Sequence, residues 1–318
     1  MKKNSASTTG FVMILLIVMI LSGCSFRSMA VNAVLPTLVN PAVYLSEEDP
    51  EVARDALPFL LKTIESIIDA EPERQDTLLF ANTGFVLYAT AFLQAEAQLA
   101  EWEDYARATE LNERARQMFL RARNYGLRNL EIDYPGVSER LSSEPENAVM
   151  VFETDDVESL YYLGGAWVLA ISLGLDQPAL VADFPAARAL LGRALELDED
   201  FQRGALHAAF ITLESVGEAM GGSNKRAREH FKRAVELSEG QDVGPYLSLA
   251  SGVAVSEENR DEFRDLLETA LAIDSDEHPQ NRLFNLIGQN RARVLLEHID
   301  DLFFEPLNAL ELDEENRQ

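Results

Sequence analysis

The sequence predicts an all-α, helical-repeat domain preceded by a short apolar leader. Three observations carry this. Apolar residues recur with the 3.6-residue period of amphipathic helices along most of the chain. Strand signals are poor: Val149-Met150-Val151-Phe152 is the one candidate, short and isolated, and no βαβ alternation appears. One helical pattern also recurs at intervals of about 36–40 residues.

Residues 1–23 read as an export signal and are set aside from the fold. Lys2 and Lys3 supply its positive start, and Phe11 to Leu21 is an unbroken apolar run of eleven residues. A spanning helix needs about 20, so the run is too short to remain as an anchor. It ends in Leu21-Ser22-Gly23-Cys24. Small residues before a cysteine suit the narrow cleft of a processing peptidase. The order resembles the lipobox of bacterial lipoproteins, in which the thiol is acylated, palmitate being a typical chain, and becomes the new N-terminus. The alternative is an ordinary secretory leader with an incidental cysteine. Cys24 is the sole cysteine of the sequence, so it is not half of an internal disulfide. Ser25, not Asp, follows it, which in enteric-type sorting resembles an outer-membrane lipoprotein.

Residues 24–48, with Pro36, Pro41 and Ser46-Glu47-Glu48, read as the lipidated end and a tether. The helical domain is expected over residues 49–306, and residues 307–318 as an acidic tail. Leu57, Leu60, Leu61, Ile64, Ile67 and Ile68 share one face of a first helix, which Pro58 is expected to kink or split. Three later segments share one shape: Ala187/Leu191/Ala194, Ala227/Phe231/Ala234 and Phe263/Leu267/Ala270. Ala115, Phe119 and Ala122 fit the same frame. This looks like the second helix of a tetratricopeptide repeat. Alanine at a helix crossing permits close approach, and the large residue four positions on fills the space between repeats. Leu163-Gly164 with Trp167, Tyr246 with Leu249-Ala250, and more weakly Thr83-Gly84 with Leu87-Tyr88, match the first helix of such pairs. Gly174, Pro178 and Pro185 mark a loop insertion, and residues 126–158 form an irregular stretch. A last pattern from Arg282 to Phe304 is expected to cap the array. A non-repetitive helical bundle is the competing architecture.

The formal net charge is -27, and the leader holds two lysines and no acid, so the mature chain stands at -29. Such a surface repels phosphate backbones and argues against nucleic-acid binding. No catalytic motif appears, and the sequence is not read as an enzyme. His207, His230, His278 and His298 are scattered, with no pair at i,i+4 spacing, so a zinc helix motif is not expected. Gly221-Gly222-Ser223-Asn224-Lys225 lacks the spacing of a phosphate loop and reads as a turn. No metal or cofactor is implied. The aromatic residues Phe85, Tyr88, Tyr161, Trp167, Phe210 and Tyr246 fall in the expected first helices, which in a stacked array line the concave face. They are either repeat core or candidate linings of a ligand channel.

Several stretches together resemble one family. They include Glu48-Asp49-Pro50-Glu51 with Ala53-Arg54, Arg193-Ala194-Leu195-Glu196-Leu197-Asp198, His230-Phe231 with Arg233-Ala234, and Arg291-Ala292-Arg293 with Leu295-Leu296. In this order, behind a lipobox and with the insertion before Ala187, they look like the T component of TRAP transporters, the TatT family. The resemblance implies a periplasmic lipoprotein of cryptic tetratricopeptide repeats, assembling as a homotrimer with an apolar, pore-like channel in each subunit. It implies pairing with the substrate-binding (P) subunit of an ion-gradient-driven uptake system for organic acids or apolar ligands. Residues gripping a substrate carboxylate would then sit on that partner. The expected function is an accessory component with no cofactor. The rival is a repeat scaffold lipoprotein for envelope protein contacts without a ligand.

Overall fold

The computed structural model describes residues 40–303, with residues 31–33, 35 and 37 before them. The leader, Cys24 and the acidic tail lie outside the described residues. The chain divides into two compact units between Val43 and Tyr44. Of the first unit little is described beyond the start of a short helix, Pro41–Leu45. The second unit carries the architecture.

Every long element of that unit is a helix, and no strand occurs among the described residues. The principal helices are α1 (Pro50–Ala70), α2 (Gln75–Ala100), α3 (Tyr105–Asp133), α4 (Val157–Ser172), α5 (Phe184–Leu197) and α6 (Ala205–Glu214). They are followed by α7 (Asn224–Leu237), α8 (Val243–Leu249), α9 (Arg260–Ala272) and α10 (Arg282–Glu297). Side-chain caps explain several starts. Asp49 accepts from the Glu51 amide at 3.0 Å, with Pro50 supplying a first-turn residue that needs no donor. Asp104, Ser223 and Asn259 cap α3, α7 and α9 in the same way.

Consecutive helices pack on one another from α1 through to α10. The pairs α2/α3, α4/α5, α6/α7 and α8/α9 are each in contact, as an array of helix pairs requires. First helices also touch across units, α2 against α4, α6 against α8 and α8 against α10. The frame deduced from the sequence coincides with burial. Ala115, Phe119, Ala122, Ala187, Ala194, Ala227, Phe263, Leu267 and Ala270 are all completely buried. Phe231 is the exception and keeps part of its surface. Apolar residues at this spacing are driven inward because each large side chain removed from water contributes about 1.5–3 kcal/mol.

The array does not end as an open row. α10 packs back onto α1 and onto the last turns of α2. Trp102, just past α2, stacks on His298, just past α10, with centroids 4.4 Å apart. Arg282 at the start of α10 reaches the Ser46 carbonyl at 3.2 Å and Glu48 at 3.0 Å. The expected capping helix thus joins the far end of the array to its beginning.

Two expectations need revision, and the weak strand candidate is resolved. Pro58 neither ends nor divides α1, which runs unbroken to Ala70. An internal proline costs about 3 kcal/mol, and burial of Leu57, Leu60, Leu61, Ile64 and Ile68 in the same helix outweighs that. The strand candidate is a single 3₁₀ turn, Val149–Val151. It has no neighbour strand among the described residues, Met150 and Val151 face solvent, and Val149 and Phe152 are buried, Phe152 edge-on to Tyr134 at 4.9 Å. The irregular stretch 126–158 is largely helical: α3 continues to Asp133, and Val137–Ser143 and Pro145–Ala148 follow.

α2 contains a π-helical segment, Ala89–Gln94, and α8 continues into another, Ala250–Ala254. Such insertions re-aim a helix face and are frequent at functional sites. α2 is long and apolar enough to cross a membrane by length and composition. Its apolarity is accounted for by packing, since α1, α3 and α4 all lie against it.

Candidate functional site

The six aromatic candidates are not gathered in one place. Phe85 stacks on Tyr125 of α3 at 6.0 Å beneath the Arg121 guanidinium. Trp167 lies under Arg123 and donates its indole N–H to Asp183 at 3.3 Å. Phe210 stacks on His230, and Tyr246 meets Phe231 edge-on. These four are buried between helices. Tyr88 and Tyr161 keep accessible surface. Tyr161 adjoins Tyr162 at 4.9 Å and Phe201 at 5.4 Å, and the Gln202 amide donates to the Tyr162 hydroxyl at 3.1 Å.

Electrostatics distinguish a second set. Burial pushes the hydroxyls of Tyr161 and Tyr162 far up, and it raises the Glu158 carboxyl one turn away. Yet Glu158 is exposed and both tyrosines are partly accessible. Asp242, at the start of α8, is likewise raised by burial, against the Asn281 hydrogen bond and the Arg203 and His278 charges that lower it. Arg291 of α10 shows the cationic counterpart: burial lowers its guanidinium, opposed by the charge of Glu101. All five lie on, or cap, first helices.

Two polar clusters tie helix pairs together. Glu214 is almost fully buried at the end of α6. Burial alone would raise its carboxyl, but hydrogen bonds from Arg226 at 2.8 Å and Arg188 at 2.5 Å hold it below its usual range. His207 of α6 and His230 of α7 share an Nδ1–Nδ1 contact of 2.9 Å. This pair has no local mark in the sequence, because 23 residues separate the two histidines and the crossing of α6 with α7 unites them. Neither cluster carries a nucleophile with its base, and no group of three or more His, Cys, Asp or Glu placed to hold a metal occurs among the described residues.

The histidine pair makes the fold acid-sensitive. In a 2.9 Å Nδ1–Nδ1 contact one ring must accept, so one must be neutral there. Burial lowers both histidines below the ordinary value of 6.5. For His207 the Glu199 and Asp200 carboxylates oppose this while Arg233 adds to it. For His230 the His207 and Arg188 charges add to it while Glu214 and Glu229 oppose. The unfolded chain therefore binds protons first as pH falls through about 6.5. Stability is greatest above that value and drops as pH falls towards the depressed folded pKa. Melting curves between pH 8 and pH 5 should show a loss that is smaller in a His207→Gln/His230→Gln variant. An equal loss in both would exclude the pair as the cause.

An open pocket of about 370 Å³ is lined by Phe152, Glu153, Thr154, Asp155, Arg193 and Leu197. Arg193 there already donates to the Phe152 carbonyl at 2.9 Å and pairs with Glu196 at 3.2 Å.

A family model described as TRAP transporter T-component matches residues 46–303. A protein of Treponema pallidum (strain Nichols), described as an uncharacterized protein, is 28% identical over 304 residues, covering 89% of this chain and 94% of its own length. T components are accessory parts of TRAP transporters, which associates the chain with the other transporter components and with a membrane-associated or periplasmic setting. Because the match runs through every helix from α1 to α10, the chain belongs to the TRAP transporter T-component family.

Proposed function

We propose that this chain is a non-enzymatic periplasmic lipoprotein that holds the substrate-binding subunit of a TRAP system near the membrane and gives its ligand a sheltered path or resting place. The family match over residues 46–303 carries the reading. Glu158, Tyr161 and Arg291, whose ionisation burial perturbs while part of their surface stays accessible, support its ligand half. A homotrimer is part of the proposal, as is the channel role for Phe85, Tyr88, Tyr161, Trp167, Phe210 and Tyr246, of which Tyr88 and Tyr161 have the accessible surface such a role needs. The test is to mix protein lacking residues 1–24 with a TRAP substrate-binding protein of the same host and to measure mass by light scattering. A defined complex is expected. No complex and no trimer would favour the scaffold alternative.

Anchoring is proposed to rest on lipid at Cys24, outer membrane preferred. One acyl chain binds a membrane only marginally, so two or three are needed for stable attachment. Cys24→Ala protein is expected in the soluble fraction after cell lysis. Variant protein that sediments with membranes as fully as wild type would end the lipoprotein proposal.

A further inference from the structure

Among the described residues Arg291 is one of a few arginines with no ion pair, and unlike Arg203, which donates to the Ser238 carbonyl, it has no close hydrogen bond. The carboxylates of this very acidic chain pair with most of its arginines. Arg54, Arg74, Arg107, Arg116, Arg228 and Arg233, for example, each hold at least one acid. Arg291 holds none. Its Nε is shielded from solvent and has no hydrogen-bond partner. Its Nη2 has a single long contact, 3.4 Å, to the Ser251 hydroxyl. Leaving a charged donor buried and unmade is costly.

The geometry of the unused atoms is specific. Nε and Nη2 lie along one edge of the guanidinium plane, and their two N–H groups form the fork that a carboxylate accepts side-on. Ser251 sits in the π-helical segment Ala250–Ala254, which turns its hydroxyl to that edge. Helix α10 brings apolar Phe284, Ile287 and Leu295, all partly accessible, on the turns either side of Arg291. One cation with one hydroxyl amid apolar neighbours suits a monovalent head on an apolar body. A phosphate dianion would need more positive charge than the site holds.

We propose that the Arg291 edge, with the Ser251 hydroxyl beside it, is a binding point for the carboxylate of a small organic acid inside the helical array. The site deepens the ligand half of the proposed function and rests on it. It also assigns carboxylate recognition to this chain as well as to the substrate-binding partner. Glu101, whose charge reaches Arg291, is the internal competitor that the ligand displaces.

The experiment is calorimetric titration of the protein lacking residues 1–24 with octanoate, succinate and inorganic phosphate, on wild type, Arg291→Met, Ser251→Ala and Glu101→Gln, with melting curves for each. Octanoate is expected to bind wild type, phosphate not. Arg291→Met should weaken octanoate binding by roughly tenfold to a hundredfold, the loss of charged hydrogen bonds. Its melting temperature should hold or rise, because an uncompensated buried charge is removed. Glu101→Gln should bind at least as tightly as wild type. No carboxylate binding to wild type, or equal binding to a folded Arg291→Met protein, overturns the inference, as does a preference for phosphate. Should Arg291→Met not fold, unchanged affinity in both Ser251→Ala and Glu101→Gln overturns it. Complex formation with the substrate-binding protein is read separately by light scattering. Loss of binding with the complex intact refutes only the site, and loss of the complex with binding intact refutes only the partnership.

Discussion

Phe119→Ala is expected to destabilise the helical domain by about 3–5 kcal/mol, the usual cost of deleting a fully buried aromatic ring. Phe119 has no accessible surface and sits on α3 between Ala115 and Ala122, which are equally buried. Its ring belongs to the larger of the two apolar clusters, with Leu111, Leu163, Trp167 and Leu190. The alanines on either side bring the neighbouring helices so close that they cannot collapse further into the void. The size of the remaining cavity sets the penalty. In a domain of this length each kcal/mol lowers the melting temperature by roughly 2–4 °C, so a fall of about 10 °C is expected in a thermal melt. A change below about 1 kcal/mol would mean that the second-helix frame is not the core.

Gly164→Val is the second large effect, about 3 kcal/mol or more. A Cβ on Gly164 would stand 2.8 Å from Leu191 Cγ, 3.1 Å from its Cδ2 and 3.2 Å from the Ala187 carbonyl oxygen. Leu191 is buried and Ala187 is backbone, so neither yields without disturbing the α4/α5 pair, and overpacking of this kind costs about 1–3 kcal/mol even for small additions. Gly165 supplies the control on the same helix. Its Cβ would meet nothing, so Gly165→Ala should gain about 0.5–1 kcal/mol from helix propensity. Pairing Gly164→Ala with Leu191→Ala should recover part of both losses, a coupling above about 0.5 kcal/mol. Additive losses in urea unfolding would show that the two residues do not meet.

The same contrast explains what was legible in the sequence. A 3.6-residue period reports which face of a helix is buried, and it located α5, α7 and α9 through Ala187, Ala227 and Phe263, all now completely buried. The Leu163-Gly164 match marked a helix crossing, and Gly164 does pack on Leu191. The period says nothing about which helices cross or what arrives at the crossing from elsewhere. That is why the His207–His230 contact was invisible, and why the aromatic residues of the first helices divided between four that are buried and two that keep surface. Arg291 stood in the sequence as part of a family-like closing stretch. Its lack of a close partner emerges only when α10 folds back on α1 and α2. The π-helical segments at Ala89–Gln94 and Ala250–Ala254 have no local sequence mark. The weak strand candidate at 149–152 is a 3₁₀ turn, since β propensity needs a partner strand and the described helices supply none.

The most direct test of the account is transport by living cells. The gene would be deleted from its native host and uptake of a panel of radiolabelled mono- and dicarboxylates followed. The account predicts that uptake of at least one acid falls sharply in the deletion strain. Wild-type protein should restore it, and protein carrying Cys24→Ala should restore it poorly. Uptake of every acid at the parental rate in the deletion strain, with the other transporter subunits present, would contradict it.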